Sequence, residues 1–281
     1  MENITKIIAC ADIHIPNLKG IDELNSVLST FIEQCKEIVD KEGKNKVRIV
    51  VCGDIFHSKL NITNESIIAV YDFLSQLGKI AKTIVIVGNH DMLMNNTDRI
   101  DSLEPIFQIG KLNNVIYLDK ELDFKSGCYK DNNVVWCLYS SYDGFNSPDI
   151  EAFKTKTKTN CTYVGLIHAD INGAITPTNY VTEKGLDPDM FENCDFVIAG
   201  HIHKFQEIKK NGVKIVYCSS ISQKDFGETV SQHGFVLWDI SDTDDYNYEY
   251  IETPNPDGGF FQFSINDLND IKNDSEEFLN Y

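Results

Sequence analysis

What this 281-residue chain lacks already narrows its class. Its eight cysteines form no Cys-x-x-Cys pair. Cys10, Cys52, Cys137 and Cys218 lie within or beside strand-like runs, where a free thiol packs as a small apolar group, so a disulfide framework is not expected. No apolar run is long enough to span a bilayer. Met1-Glu2-Asn3-Ile4-Thr5-Lys6 leads into the first strand without a signal-peptide pattern, so a cytoplasmic protein with no membrane contact is expected. There is no internal repeat, and the one biased tract, Lys154-Thr155-Lys156-Thr157-Lys158-Thr159, reads as a solvated loop or basic patch. Basic charge is scarce: 25 Lys and Arg against 43 Asp and Glu give a net charge of -18. That counts against a nucleic-acid partner, because DNA binding draws most of its non-specific affinity from cations on phosphates. Much of the acidity, however, sits after Asp239, where Lys272 is the one basic residue.

What is present is an ordered set of polar clusters at the ends of apolar runs. Lys6–Ala11 precedes Asp12-Ile13-His14, Val47–Cys52 precedes Gly53-Asp54, and Thr83–Val87 precedes Gly88-Asn89-His90-Asp91. Tyr163–Ile167 leads into His168, and Phe196–Ala199 into Gly200-His201-Ile202-His203. Each run is short and rich in β-branched residues, which suits a strand and not a helix. Between the first three, Ile21 to Glu42 and Thr63 to Leu77 repeat apolar residues at helical spacing (Leu24, Val27, Leu28, Phe31; Ile67, Val70, Tyr71, Leu74). The outcome is a β-α-β-α-β run, and open α/β sheets gather ligands where strands end in loops, so the clusters are expected to converge. Asn211-Gly212 marks a hairpin between Phe205–Ile208 and Val213–Tyr217.

The residue types point to phosphoester chemistry. Hydroxide is repelled by a phosphodiester, so a site must neutralise phosphate oxygens, lower the pKa of a water and stabilise the leaving alkoxide. Two divalent cations about 3.5–4 Å apart meet all three needs. Carboxylates and imidazoles with no thiolate suit Mn, Fe or Zn, and Mg is admitted. Following the general pattern of such sites, Asp12, His14, Asp54 and His203 are assigned to one ion, and Asp54, Asn89, His168 and His201 to the other, with Asp54 as the bridge. His90 is assigned to protonating the leaving group or stabilising the transition state, with Asp91 placed to hold its ring. Taken singly, Asp12 reads equally as a helix cap and Asp54 as a turn residue. The set is harder to dismiss, because His233 alone of the seven histidines lies outside the motifs.

These clusters resemble the calcineurin-like metallophosphoesterases, whose pattern is D-x-H, GD, GNH[DE], H and GHxH. Over about Met1 to Ile240 the chain is further similar to SbcD-type and phage recombination nucleases of DNA repair. That likeness rests on Gly53-Asp54-Ile55-Phe56-His57, on Gly200-His201-Ile202-His203-Lys204, on His168-Ala169-Asp170-Ile171-Asn172-Gly173-Ala174, and on Ser219–Glu228 with its Phe226-Gly227-Glu228. The last is taken as family evidence without chemistry. The resemblance implies a Mn-dependent DNA exonuclease or endonuclease with two metal ions, and carries His57 over as a catalytic or phosphate-orienting residue. The partners it admits are DNA, an SbcC-like coiled-coil ATPase and a second copy of the chain; if the chain is phage-encoded, it would act in the host cytoplasm. Serine/threonine phosphatases of the superfamily carry arginine in GD-x-x-DRG, and no equivalent stands here. A phosphatase or small-molecule phosphodiesterase of the same superfamily, and a non-catalytic scaffold subunit, are the alternatives.

Architecture follows the strand count. Strands crowd the second half (Asn133–Leu138, Thr162–Ile167, Val213–Tyr217, Gly234–Ile240, Tyr246–Ile251). Two mixed sheets packed face to face with helices outside, a four-layer α/β/β/α sandwich, would bury them, and the resemblance implies the same fold. Residues 1–253 are read as the metallophosphoesterase domain and 254–281 as an acidic C-terminal extension in which Phe260–Ile265 is a strand. SbcD-like proteins continue at this point into a DNA-capping domain and an ATPase-binding segment, whereas this sequence stops.

Overall fold

Successive residues of the apolar runs face opposite ways, and this builds three layers of core. The computed structural model describes residues 2–157, 160–243, 245–255 and 258–260. Twelve strands are described: β1 (Lys6–Cys10), β2 (Val47–Cys52), β3 (Lys82–Ile86), β4 (Val115–Tyr117), β5 (Gly127–Asp131), β6 (Val134–Leu138), β7 (Thr162–His168), β8 (Phe196–Gly200), β9 (Gln206–Lys210), β10 (Val213–Tyr217), β11 (Gly234–Asp239) and β12 (Asn247–Glu252). They are interleaved with helices α1 (Ile21–Glu42), α2 (Asn64–Ile80), α3 (Glu104–Ile109), α4 (Leu118–Glu121) and α5 (Ile150–Thr157).

One sheet has the order β12-β11-β1-β2-β3-β4, the other β5-β6-β7-β8-β10-β9. Strands β1 to β4 run parallel in the first, and β6, β7, β8 and β10 in the second, with antiparallel neighbours outside them. Period-2 alternation assigns the layers. Ile8, Cys10, Ile49 and Val51 pack under α1 and α2. Ile7, Ala9, Val50, Trp136, Val164, Phe196 and Trp238 fill the space between the sheets. Val135, Cys137, Tyr163 and Val197 form the outer layer of the second sheet. A strand buried on both faces has no polar side, which is why these runs read as continuous apolar segments. The expected two-sheet sandwich flanked by helices is the architecture observed.

Local chemistry sets the helix ends. Thr63 caps α2, its hydroxyl accepting from Ser66 N while the Ser66 hydroxyl accepts from Thr63 N. The buried face of α2 is Val70, Phe73, Leu74 and Leu77. Ile67, expected on that face, is 41% exposed, because the helix turns its 67–68 edge outward. The β9–β10 hairpin turns at Asn211 and Gly212, both with positive φ, as a two-residue turn requires.

The loop expected at Lys154–Thr159 is, over Lys154–Thr157, the end of helix α5; Lys158 and Thr159 lie outside the described residues. The helix wins because Phe153 packs on the outer core, Lys154 pairs with Glu151 at 3.0 Å and also lies over the Tyr163 ring, and the Thr155 and Thr157 hydroxyls bond back to carbonyls of the preceding turn. Of the strand expected at Phe260–Ile265, all but Phe260 lies outside the described residues, as does the acidic stretch from 261 onward. Among the described residues, no helix is long and apolar enough to cross a membrane.

Candidate metal centre

The parallel strands deliver the polar clusters to one end of the sandwich. Asp12 and His14 follow β1, Asp54 follows β2, and Asn89 and His90 follow β3; from the facing sheet come His168 at the end of β7, and His201 and His203 after β8. Asp12, His14, Asp54 and His201 all have positive φ (54°, 49°, 51° and 93°). Non-glycine residues rarely adopt this backbone, and it concentrates where side chains must be aimed at one point.

Around His14 the donors crowd together. His14 Nε2 lies 3.0 Å from His203 Nε2 and 3.6 Å from Asp54 Oδ2, and Asp12 Oδ1 lies 3.4 Å from His203 Nε2. On the other side His168 Nε2 is 3.2 Å from the same Asp54 Oδ2, and His201 Nδ1 is 2.7 Å from Asn89 Oδ1. Potential ligand atoms of Asp12, His14 and His203 lie within 4.8 Å of one another, and so do those of Asp54, His168 and His201. Asp54 Oδ2 therefore stands between the two clusters, where a bridging carboxylate belongs, while its Oδ1 accepts from His90 N at 2.7 Å. The seven candidate ligands lie at one end of the sandwich, and ligand atoms of His14, Asp54 and His90 also fall within 4.8 Å of one another.

The donor set fits cations. The ring of His168 is held by Nδ1 donating to the Cys52 carbonyl at 2.8 Å, which leaves Nε2 buried and, among the described residues, without a hydrogen-bond partner. A buried nitrogen facing two carboxylates calls for positive charge, which either a proton on the ring or a cation between the groups supplies. The protonation equilibria show the same demand. Burial opposes charge on His168, yet Asp54 and Asp12 hold its pKa up at about 9; His203 is likewise held at about 10 against burial, by Asp12 and Glu228. Burial would raise Asp54, but His168 and His14 hold it below the usual carboxylate range. His14, buried beside other cations, is depressed.

Glycine makes this density attainable. A Cβ on Gly88 would lie 2.1 Å from Asp54 Oδ1, and one on Gly53 would lie 2.4 Å from His168 Nδ1. Either would collide with a ligand side chain.

The groups around the ligands differ from expectation in two places. Asp91 does not hold the His90 ring. Buried, it accepts from the backbone N–H groups of Ile55, Phe56 and Gly88 and so ties the β2 loop to the β3 loop; burial and the charge of Asp54 push it up to about 7. The His90 ring is set instead by Nδ1 donating to the His57 carbonyl at 2.6 Å, and its centroid is 4.8 Å from that of His14. His57 itself is exposed at the rim, its ring 5.7 Å from His14.

The second is Glu228, read from the sequence as bearing no chemistry. Its Oε1 accepts from His203 Nδ1 at 2.6 Å, and its Oε2 accepts from Lys224 N. A carboxylate behind a ligand histidine fixes the tautomer and strengthens the ligand. Asp170 stands in the same relation to His201, at 3.3 Å. Two lysines brace the ligand loops: Lys224 Nζ donates to the Ile13 carbonyl at 2.6 Å and Lys59 Nζ to the Asn89 carbonyl at 3.0 Å. The acidic last residue of Phe226-Gly227-Glu228 was the available signal for Glu228; nothing local marks the lysines. His233 bonds Ser220 and the Thr229 carbonyl and serves the loop that carries Glu228.

Comparison with known proteins gives a consistent picture. A family model described as calcineurin-like phosphoesterase matches residues 5–205. An uncharacterised protein of Acanthamoeba polyphaga mimivirus is 29% identical over 284 residues, covering 93% of this chain and 20% of that protein. This chain thus spans about a fifth of that relative's length. A protein of Invertebrate iridescent virus 6, provisionally named a phosphoesterase, is 27% identical over 243 residues, covering 84% of this chain and 77% of its own. The crystal structure of a dimetal phosphatase from Danio rerio superposes with a TM-score of 0.52 at 11% identity, covering 85% of this chain and 93% of that one; at this identity the likeness is one of fold.

Proposed function

The chain belongs to the calcineurin-like phosphoesterase family, and from that premise we propose that it hydrolyses phosphoesters as a nuclease, cutting phosphodiesters of DNA with two divalent ions, Mn foremost, in recombination, repair or replication. One observation carries this reading. Glu228, which closes the nuclease-type motif Phe226-Gly227-Glu228, accepts from Nδ1 of the candidate ligand His203 at 2.6 Å.

In this reading Asp12, His14, Asp54 and His203 hold one ion, and Asp54, Asn89, His168 and His201 the other. Bound there, the ions would neutralise phosphate oxygens and lower the pKa of an attacking water. The protein's own part is positioning and proton delivery. Because Nδ1–H of His90 is committed to the His57 carbonyl, Nε2 is the atom left to face the leaving oxygen, and it is the imidazolium form of the ring that has a proton there to give. Lys224 holds the Asp12–His14 loop through Ile13. Of the two arginines of the chain, Arg48 is bonded to Asp131, and Arg99 is exposed and lines a groove between α2 and α3.

The net charge of -18 favours a second reading, a small-molecule phosphodiesterase or phosphatase, since such substrates need no extended basic surface. For DNA, a partner would supply the grip, an SbcC-like ATPase or a second copy of the chain. A groove of about 670 Å³ between α2 and α3, lined by Ile67, Ile68, Tyr71, Ile100, Ile106 and Ile109, is an exposed apolar surface on which such a partner would find a seat. The reading places the enzyme in the cytoplasm.

The test is digestion of end-labelled linear double-stranded DNA by the purified chain with Mn, beside His90→Ala and a chromogenic phosphodiester. DNA cleavage lost in the variant supports the nuclease. Cleavage of the small diester alone points to the second reading or to a missing partner. Cleavage of neither, with metal bound weakly or incompletely, points to the scaffold subunit.

A further inference from the structure

Outside the metal centre, two thiols face each other across an edge hairpin. Cys128 on β5 is the register partner of Cys137 on β6, and their sulfurs are 3.9 Å apart. The hairpin fixes what kind of pair this is. Asp131 and Val134 flank the two-residue loop Asn132-Asn133 and so form the pair that exchanges backbone hydrogen bonds. Such pairs alternate along an antiparallel ladder with pairs that exchange none. Counting outward, Lys130–Val135 exchanges none, Tyr129–Trp136 does, and Cys128–Cys137 does not. Pairs of that class hold their Cα atoms about 4.5 Å apart with side chains closest, inside the about 4.4–6.8 Å range that a disulfide accepts. Rotation about Cα–Cβ suffices to join the sulfurs, with no change of register.

The two thiols are unequal in access. β5 is the edge strand and Cys128 is half-buried, whereas Cys137 is fully buried. We propose that Cys128 and Cys137 form a reversible redox site, oxidised to a cross-strand disulfide by hydrogen peroxide and reopened by a dithiol reductant. Cys128 acts first. Its sulfur attacks one peroxide oxygen, the O–O bond breaks, and the departing hydroxide takes a proton to become water, leaving a sulfenic acid. Cys137 then attacks that sulfur; the S–S bond forms, the S–O bond breaks, and the hydroxyl leaves with the Cys137 proton as a second water. The two sulfurs give up two electrons and peroxide accepts them. The hydrogen bond between Cys128 and Cys137 holds the pKa of the Cys128 thiol below its ordinary value, against the effect of burial, in line with the more accessible sulfur reacting first. Cys194 is the competing partner, since it too lies against Cys137 and its sulfur is 3.5 Å from the Tyr139 hydroxyl.

The test is to treat the full chain with hydrogen peroxide, alkylate the remaining thiols and map tryptic peptides by mass spectrometry. The expected result is a linked pair joining the peptides that contain Cys128 and Cys137, lighter by two hydrogens than the free pair and lost on treatment with dithiothreitol. In Cys137→Ser, Cys128 should stop at a sulfenic acid trapped by dimedone. Should that variant not fold, Cys128→Ser should keep Cys137 alkylatable on denaturation after the same dose. A Cys137–Cys194 link, over-oxidation of Cys128 with Cys137 still free, or an unreacted Cys128 would each overturn the proposal.

Discussion

His203 and Glu228 meet at 2.6 Å, Nδ1 to Oε1, while the opposite nitrogen of the same ring lies 3.0 Å from His14 Nε2. One histidine thus has a carboxylate behind it and the metal centre before it. Twenty-four residues of intervening chain, including β9 and β10, separate the two partners in sequence. The arrangement sets the tautomer of His203, so Glu228 is expected to govern how tightly the first ion is held.

Glu228→Gln should weaken metal binding by about 10–100-fold, the usual effect of losing a carboxylate behind a ligand histidine. Titration calorimetry with Mn reads this directly. An unchanged affinity would mean that the bond to Glu228 is only a loop contact.

His90→Ala should keep both ions yet lose turnover by a factor of about 10²–10⁴, because a positioned proton donor is removed and no ligand is. Metal analysis run beside a phosphodiester assay separates the two effects. Loss of an ion from the variant would move His90 into the ligand set.

Asp54→Ala should disturb both ions together, since its Oδ2 is the atom shared between His14 and His168. Metal content per chain, measured after gel filtration, is the readout. A variant retaining two ions at full occupancy would contradict the bridge.

Gly88→Ala places a methyl group 2.1 Å from Asp54 Oδ1, against a side chain that cannot retreat without leaving His90 N. Overpacking of this kind costs about 1–3 kcal/mol. The loss should appear both as a lower unfolding midpoint and as weaker metal binding; a variant with unaltered metal content and midpoint would show that the loop can shift.

Asp131 supplies a pH dependence away from the metals. Burial raises its pKa, but Arg48, at 2.6 Å and 3.2 Å, and Lys82, at 3.0 Å, outweigh burial and hold it below the ordinary carboxylate value. A depressed folded-state pKa means that the stability is fully present above the unfolded value, about pH 4, and is lost as pH falls through the folded one. Asp131→Asn should therefore cost roughly 3–5 kcal/mol at neutral pH, by leaving Arg48 buried without its partner. The gap between variant and parent should shrink on acidification. Urea unfolding at neutral and at acid pH measures it, and a gap independent of pH would remove the ion pair from the account.

How much of this was legible beforehand depends on range. β1, β2, β3, β7 and β8 were readable because a strand buried on both faces leaves an unbroken apolar run, and α1 because Leu24, Val27, Leu28 and Phe31 repeat at helical spacing. Lys154–Thr157 was misread because the helix is stabilised by a cation over Tyr163 and by packing of Phe153, neither of which alters the local composition. Asp91 was misread for a related reason. Adjacency to His90 suggested a bond, but backbone donors at Ile55, Phe56 and Gly88 offered a buried carboxylate three partners at once.

The sequence by itself determined which polar residues stand at the strand ends and in what order, because metal-ligating chemistry restricts side-chain type and the strand period restricts where they fall. Which atoms of those residues meet was decided only by the tertiary structure. The second sheet had to pack on the first before His203 could face His14, before Glu228 could reach His203, and before the thiols of an edge hairpin could be seen to oppose each other. Those contacts join residues distant in sequence or depend on strand register, and no local pattern of residues encodes the distance between two sheets.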